Sequence, residues 1–318
     1  VHDWLFIDSY LPYGIGLREA LPSLKCKVFA WTHSAPSQRP DLKDNPHANR
    51  YNLNSDRIKL VYLNHEKVID LAEMYGAWAK DVRVVYNARD PRTFWDLHPL
   101  VERIVNEYNI LEADIITVYP LSTPRTISGK GLDKVIRLHA GLKKIGYSTR
   151  LIVPNAHANG HKEKRLIAET QIWAAELGIG HEELIFTSLT STEYEMGAPP
   201  KAVSDFFRLG NVFIFPTTSE VCSLVLLEAM MSGNLLVLNK AVESLREFGG
   251  NDALYFDFAY REPKEVNERY YEDLAKIVAS EFENNKSLQV KRQAFKQHSL
   301  EKLGRDLELL INEYDTRD

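Results

Sequence analysis

Residues 212–233 read VFIFPTTSEVCSLVLLEAMMSG. The four apolar residues Val212–Phe215 stop at Pro216, which suits a short strand covered on both faces. A polar turn follows, Thr217-Thr218-Ser219-Glu220, and the pattern predicts a helix beginning near Ser223. Such a helix start carries backbone N–H groups with no partner in the helix, a natural seat for a phosphate. In open α/β sheets, ligands gather outside the carboxyl ends of the strands, where this turn falls. Glu220 lies in the turn and Glu228 further along the helix. Taken alone, the stretch also fits a capped surface helix with two solvated glutamates.

Moving outward, short β-branched and aromatic runs alternate with longer amphipathic ones, which predicts βα units and parallel sheets. Strands are expected at Lys27–Trp31, Ile58–Leu63, Val82–Tyr86, Asp114–Tyr119, Thr149–Val153, Glu183–Thr187, Val212–Phe215, Leu235–Leu238 and Leu254–Phe256. Helical spacing appears over Glu66–Tyr75, over Leu132–Ile145 and over Lys162–Leu177, the last closed by Gly178 as a C-cap. From Glu265 the chain reads as nearly all helix. Ser34–Asp56 and Thr190–Pro200 read as loops. A polar helix gives way to a strand near Tyr108–Asp114, where a domain boundary is expected. The division is then 1–110, 111–285 and a helical tail over 286–318.

The chain has 318 residues, too many for one ordinary core and suited to two domains of ~150 residues. A hydrophobic content of 44% and a charged content of 26% are those of a globular chain. A net charge of −5 and a pI of about 6.1 give nucleic acid no encouragement as a partner. Two distant cysteines, Cys26 and Cys222, suit free thiols in a reducing compartment. With no bilayer-length apolar run and no signal peptide visible, the expectation is a cytoplasmic protein, with peripheral membrane contact left open.

Pro216, Glu220, Leu224, Leu227-Glu228-Ala229-Met230 and Gly233 together resemble the signature of retaining glycosyltransferase family 4, P-S-x-x-E-G-F-G-L-x-x-L-E-A-M-A-x-G. The spacing of Glu220 and Glu228 matches that of its two glutamates. Upstream, Arg125-Thr126-Ile127-Ser128-Gly129-Lys130-Gly131 resembles the family's G-R-L-x-x-x-K-G. Val28–His33, a strand ending in Thr-His, resembles the strand that brings a histidine to the donor sugar. Val82–Pro91 resembles V-x-V-I-P-N-G-V-D-P, which precedes the interdomain linker. Val1-His2-Asp3-Trp4 resembles an H-D-W that follows a strand in the first domain. On that match the opening part of the N-terminal domain, with its glycine-rich loop, is expected to be missing.

The resemblance implies an α/β fold of two Rossmann-like domains (GT-B) and the transfer of a sugar, a hexose by expectation, from a nucleoside-diphosphate sugar with retention and without a metal. Arg125 and Lys130 would hold the diphosphate, since a leaving diphosphate needs cations for its developing charge. Glu228 would bind the ribose hydroxyls, and Glu220 the hydroxyls of the transferred sugar. Backbone N–H groups around Ser223 and Leu224 would assist the phosphate, and His33 would close over the sugar from the first domain. No carboxylate nucleophile is identifiable, which implies that the leaving phosphate acts as base. No cofactor is expected beyond the donor substrate. The acceptor, a saccharide, lipid or other molecule, is not named by any residue.

Departures from the family pattern stand beside these matches. Val221 and Ser223 replace glycines that let the backbone approach its ligand closely. Pro124 stands where a glycine precedes the arginine. Pro154-Asn155-Ala156-His157 stands where a G-x-G is usual. His157 and His161 have no cysteine or carboxylate partners in a metal-ligand spacing, and no D-x-D occurs, so no metal is expected. Tyr270 and Tyr271 read as core or domain-interface residues, and Lys143-Lys144 as a solvated helix end. Two rival readings use the same site: a nucleotide-sugar epimerase of this architecture, which needs further acid/base carboxylates, and a degenerate nucleotide-sugar-binding protein, which the lost glycines favour.

Overall fold

The structure, a computed structural model, describes residues 2, 11–33, 58–74, 81–125, 130–258 and 268–315. The chain divides into two compact units. One comprises Val1–Asp90 with Gln297–Asp318, and the other Pro91–Lys296.

In the first unit, helix α1 (Leu11–Ala20) precedes strand β1 (Val28–Thr32); β2 (Ile58–Tyr62), α2 (Val68–Met74) and β3 (Val82–Val84) follow. The strands form a parallel sheet in the order β1-β2-β3. Side chains alternate across it, as strand geometry requires. Leu60 and Tyr62 join Val28, Ala30, Leu71 and Val82 in one cluster, while Val61 packs with Val85 and Leu310 in another. Leu310 belongs to the C-terminal helix α12 (Leu300–Asp315), which Arg83 ties in place through an ion pair with Glu313. The long loop expected over Ser34–Asp56 and the Val1-His2-Asp3-Trp4 motif lie outside the described residues, His2 excepted.

The second unit opens with α3 (Pro91–Trp95) and α4 (Pro99–Glu107). It continues through β4 (Ile115–Val118), β5 (Leu121–Ser122), α5 (Leu132–Lys144), β6 (Thr149–Val153), β7 (Asn155–Ala156), α6 (His161–Glu176) and β8 (Leu184–Phe186). Then come α7 (Pro200–Leu209), β9 (Val212–Phe215), α8 (Leu224–Met231), β10 (Leu235–Asn239), α9 (Glu243–Gly249), β11 (Leu254–Phe256), α10 (Glu268–Asn284) and α11 (Lys286–Gln297). Strands β4, β6 and β8 form one parallel ladder and β9, β10 and β11 another. The ladders meet where β4 neighbours β9. There the buried Asn211 stands in for ladder bonds. Its Oδ1 accepts from Ile116 N at 2.9 Å, its Nδ2 donates to Asp114 O at 2.8 Å, and its own N–H donates to Ile116 O.

The resulting order β11-β10-β9-β4-β6-β8 is the Rossmann order 3-2-1-4-5-6 read from the other edge. Both units are α/β units built on parallel sheets, as the alternating pattern predicts, and the second has the Rossmann strand order. Val212, Phe213 and Ile214 are fully buried, each such side chain stabilising the fold by about 1.5–3 kcal/mol.

Most elements fall within a residue or two of their expected positions. Helix α7 was not anticipated, although Ala202, Phe206 and Leu209 recur at helical spacing and are all buried. The loop expected over Thr190–Pro200 meets the helix only at Pro200, its first residue. Pro is well tolerated in a first helical turn. Tyr271 is in the core, and Tyr270 donates its hydroxyl to Asp257 O at 2.8 Å. Lys143 and Lys144 are more than solvated ends: Lys143 pairs with Glu183 at 2.6 Å and Lys144 with Glu272 at 3.1 Å.

Candidate functional site

At the junction of the two ladders the chain leaves β4 on one side and β9 on the other, in opposite directions across the sheet. This is the switch point where an open α/β sheet leaves a crevice outside its carboxyl ends. Two turns stand there. The turn after β9 holds Glu220 and the turn leading into α5 holds Lys130. The structure brings these two together, with Lys130 Nζ 3.5 Å from Glu220 Oε2.

Each partner is anchored through its backbone. The hydroxyl of Tyr119, buried just past β4, donates to the carbonyl of Lys130. Burial raises the pKa of that hydroxyl, so it stays a donor at every physiological pH. Gly131 caps α5 at φ +80°, and a Cβ there would come within 2.8 Å of Pro216 Cγ. Only glycine satisfies both demands, which explains the Lys-Gly pair. Across from it, Ser244 Oγ donates to Glu220 O at 2.7 Å, and Val221 N–H donates to Glu220 Oε1 at 3.2 Å. The buried Asn239 closes the turn, donating through Nδ2 to Thr217 O at 3.0 Å and to Phe258 O at 3.3 Å.

Ser223 serves as the N-cap of α8, its hydroxyl accepting from Leu226 N at 3.2 Å. That role explains a serine where glycine was expected, and it leaves the side chain committed to the helix. Leu224, the first helical residue, is 71% exposed, and Val221 is 85% exposed. The Val221 side chain thus lies in the open. Glu228, one turn along α8, is half-buried, and burial raises the pKa of its carboxyl from the ordinary value.

Arg125 ends a 3-10 turn, Thr123–Arg125, at the mouth of β5; its side chain and residues 126–129 lie outside the described residues. His33 belongs to the first unit, directly after β1. Its Nε2 is 2.7 Å from His2 Nδ1, and the two rings stack 5.0 Å apart. Among the described residues, no three His, Cys, Asp or Glu side chains gather as a metal site.

A network that the sequence did not announce underlies the Thr123–Arg125 turn. Asn155 is fully buried and donates through Nδ2 to Thr123 Oγ1 at 3.1 Å and to Ser188 Oγ at 2.9 Å. Its Oδ1 accepts from Ser188 N at 3.1 Å, while its own N–H donates to Thr187 Oγ1 at 3.2 Å. Two residues on, His157 adopts φ +56°, a left-handed conformation that glycine ordinarily fills. Asn155 tethers the Thr123–Arg125 turn to the Thr187–Leu189 turn. A buried asparagine directly after an apolar strand was the available signal.

No family model matches the chain, and no curated protein matches it in sequence. Solved structures do resemble it. One is HepE (Alr3699) of Anabaena in complex with UDP, with 14% identity over 94% of this chain and 75% of that one and a TM-score of 0.40. Another is a glycosyltransferase of Rickettsia africae, with 15% identity, coverage of 98% and 84%, and a TM-score of 0.42. A third is the UDP-forming α,α-trehalose-phosphate synthase of Burkholderia vietnamiensis, with 16% identity, coverage of 99% and 74%, and a TM-score of 0.38.

Proposed function

We propose that the chain is a glycosyltransferase of the GT-B type that takes a nucleoside-diphosphate sugar as donor and holds it on the second unit. The observation that carries this reading is the convergence of Lys130 and Glu220, 3.5 Å apart, at the switch point of a 3-2-1-4-5-6 sheet. A cation there suits a diphosphate, and a carboxylate beside it suits sugar hydroxyls. Arg125, on the adjoining turn, is assigned to the diphosphate with Lys130. Glu228 is assigned to the ribose, the N–H groups about Ser223 and Leu224 to the phosphate, and Glu220 and His33 to the transferred sugar.

Retention of configuration, hexose transfer, independence from metal and membership of family 4 rest on the motif resemblance in Arg125–Gly131 and Pro216–Gly233. The assignment to the cytoplasm rests on the two free cysteines, Cys26 and Cys222, and the acceptor stays a saccharide, lipid or other molecule. Among the described residues, no helix is long and apolar enough to cross a membrane.

Calorimetric titration with UDP, GDP and ADP tests the donor site. One nucleotide should bind, and an Arg125→Ala/Lys130→Ala double variant should lose at least about tenfold in affinity, the worth of ~1.4 kcal/mol. Failure of all three nucleotides to bind would sink the reading. Release of free nucleoside diphosphate from a nucleotide sugar, followed with and without a chelator, separates a transferase from a binding protein. The anomeric proton coupling of the product reads retention directly.

A further inference from the structure

We infer that the Lys130–Glu220 pair makes the site prefer the intact donor over the nucleoside diphosphate left after transfer, so that Glu220 speeds product release as well as meeting the sugar. The inference rests on the donor-site reading above and goes beyond it, because it assigns a role to the pair and not to either residue alone.

The geometry supplies the reason. Lys130 and Glu220 come from turns 90 positions apart in sequence, and their backbones are held by different partners, Lys130 by Tyr119 and Glu220 by Ser244. The two side chains are partly covered, with 35% and 20% exposure. They face each other as a preformed pair of opposite charges. Any diphosphate that reaches Lys130 must approach the carboxylate of Glu220 as well.

That carboxylate treats the two ligands differently. In a nucleotide sugar the outer phosphate is esterified and carries about one negative charge, and the attached sugar offers hydroxyl donors to an acceptor-only carboxylate. In the free diphosphate the outer phosphate carries about one charge more and has no hydroxyls beside it. The extra charge lies next to Glu220, where repulsion after solvent screening is of the order of tenfold in affinity. Lys130 attracts both ligands, Glu220 sorts them, and the neutral pair is restored when the diphosphate leaves.

The test compares UDP, GDP and ADP with UDP-glucose, GDP-mannose and ADP-glucose by calorimetry on the full chain, using the pair whose base binds. Glu220→Gln removes the charge and keeps the shape. It should tighten the free diphosphate by about five- to tenfold and weaken the nucleotide sugar, so that the ratio of the two affinities falls at least about tenfold. Glu220→Asp retains the charge and should still discriminate against the diphosphate, which distinguishes charge from a general loosening of the turn; thermal melts of both variants verify folding. An unchanged ratio in Glu220→Gln, with nucleotide binding intact, overturns the inference and leaves the donor site standing. Absence of binding by any nucleotide or nucleotide sugar to the unsubstituted chain overturns both.

Discussion

The two edges of the second unit's sheet treat their charges in opposite ways. At the amino edge of β4, Asp114 is 8% exposed and accepts from Lys296, from Arg292 at 2.7 Å, and from both the N–H and the hydroxyl of Ser148. Every one of these bonds fastens helix α11 or the β6 approach to the sheet. At the carboxyl edge, Lys130 and Glu220 stand 3.5 Å apart with a third and a fifth of their side chains open to solvent. The first cluster is complete without a ligand and the second is half-open, although both join segments distant in sequence. Burial together with bond count, and not the mere presence of opposite charges, separates a fastening from a site.

Substitutions at the two edges should therefore separate binding from stability. The largest effect expected is on ligand affinity: Lys130→Ala should weaken the bound nucleotide by about 10- to 100-fold, or ~1.4–2.7 kcal/mol, with stability changed by no more than about 0.5 kcal/mol. A large drop in melting temperature in that variant would show the carboxyl-edge pair to be a fastening too.

Asn155→Ala should cost about 2 kcal/mol in chemical denaturation, because Thr123 and Ser188 would be left with buried polar atoms unpaired. If the Thr123–Arg125 turn also loosens, nucleotide affinity falls in parallel, and an unaltered affinity would confine Asn155 to the fold.

Asp114→Asn should cost about 1–2 kcal/mol at neutral pH, a figure discounted for the solvent that reaches the ion pair. Burial would raise the Asp114 carboxyl, but hydrogen bonds from Lys296 and Ser148 outweigh it and bring the group from its ordinary 3.8 to about 2. A depressed carboxylate stabilises the fold fully above the unfolded value and loses that contribution as pH falls through the folded one. The stability gap between the unsubstituted chain and the Asn variant should thus narrow as pH falls from about 4 to about 2 and close below about pH 2. A gap that does not narrow between about pH 4 and pH 2 would mean that the charge is not what Asp114 contributes.

The smallest effect belongs to Ser223→Ala, about 1 kcal/mol from loss of the α8 cap. Ser223→Gly should cost only a few tenths, and a marked gain in nucleotide affinity in the glycine variant would show that the serine restricts approach to the helix start.

Much of this architecture was legible in the residues. The strand–turn–helix of Val212–Gly233, the helix start at Ser223 and the alternation of strands and helices all follow from local rules: apolar period, capping chemistry and turn residues act within a few positions of one another. Lys130-Gly131 and Glu220 could be singled out for the same reason, as short patterns on predicted turns. The loop expected over Thr190–Pro200 stops where α7 begins, its two prolines being as suited to a first helical turn as to a loop, and the left-handed His157 leaves no mark on the pattern around it.

The sequence by itself determined the class of fold, the identity of the two turns and the kinds of side chain they carry. Only the tertiary structure decided that β4 and β9 lie side by side, and with that strand order came the meeting of Lys130 with Glu220, the grip of Tyr119 and Ser244 on their backbones, and the division of charges between a closed edge and an open one. The reason is physical. Period and capping are properties of neighbouring residues, whereas the partner of a charge depends on which strands pack together, and that is settled by burial of the whole apolar surface at once.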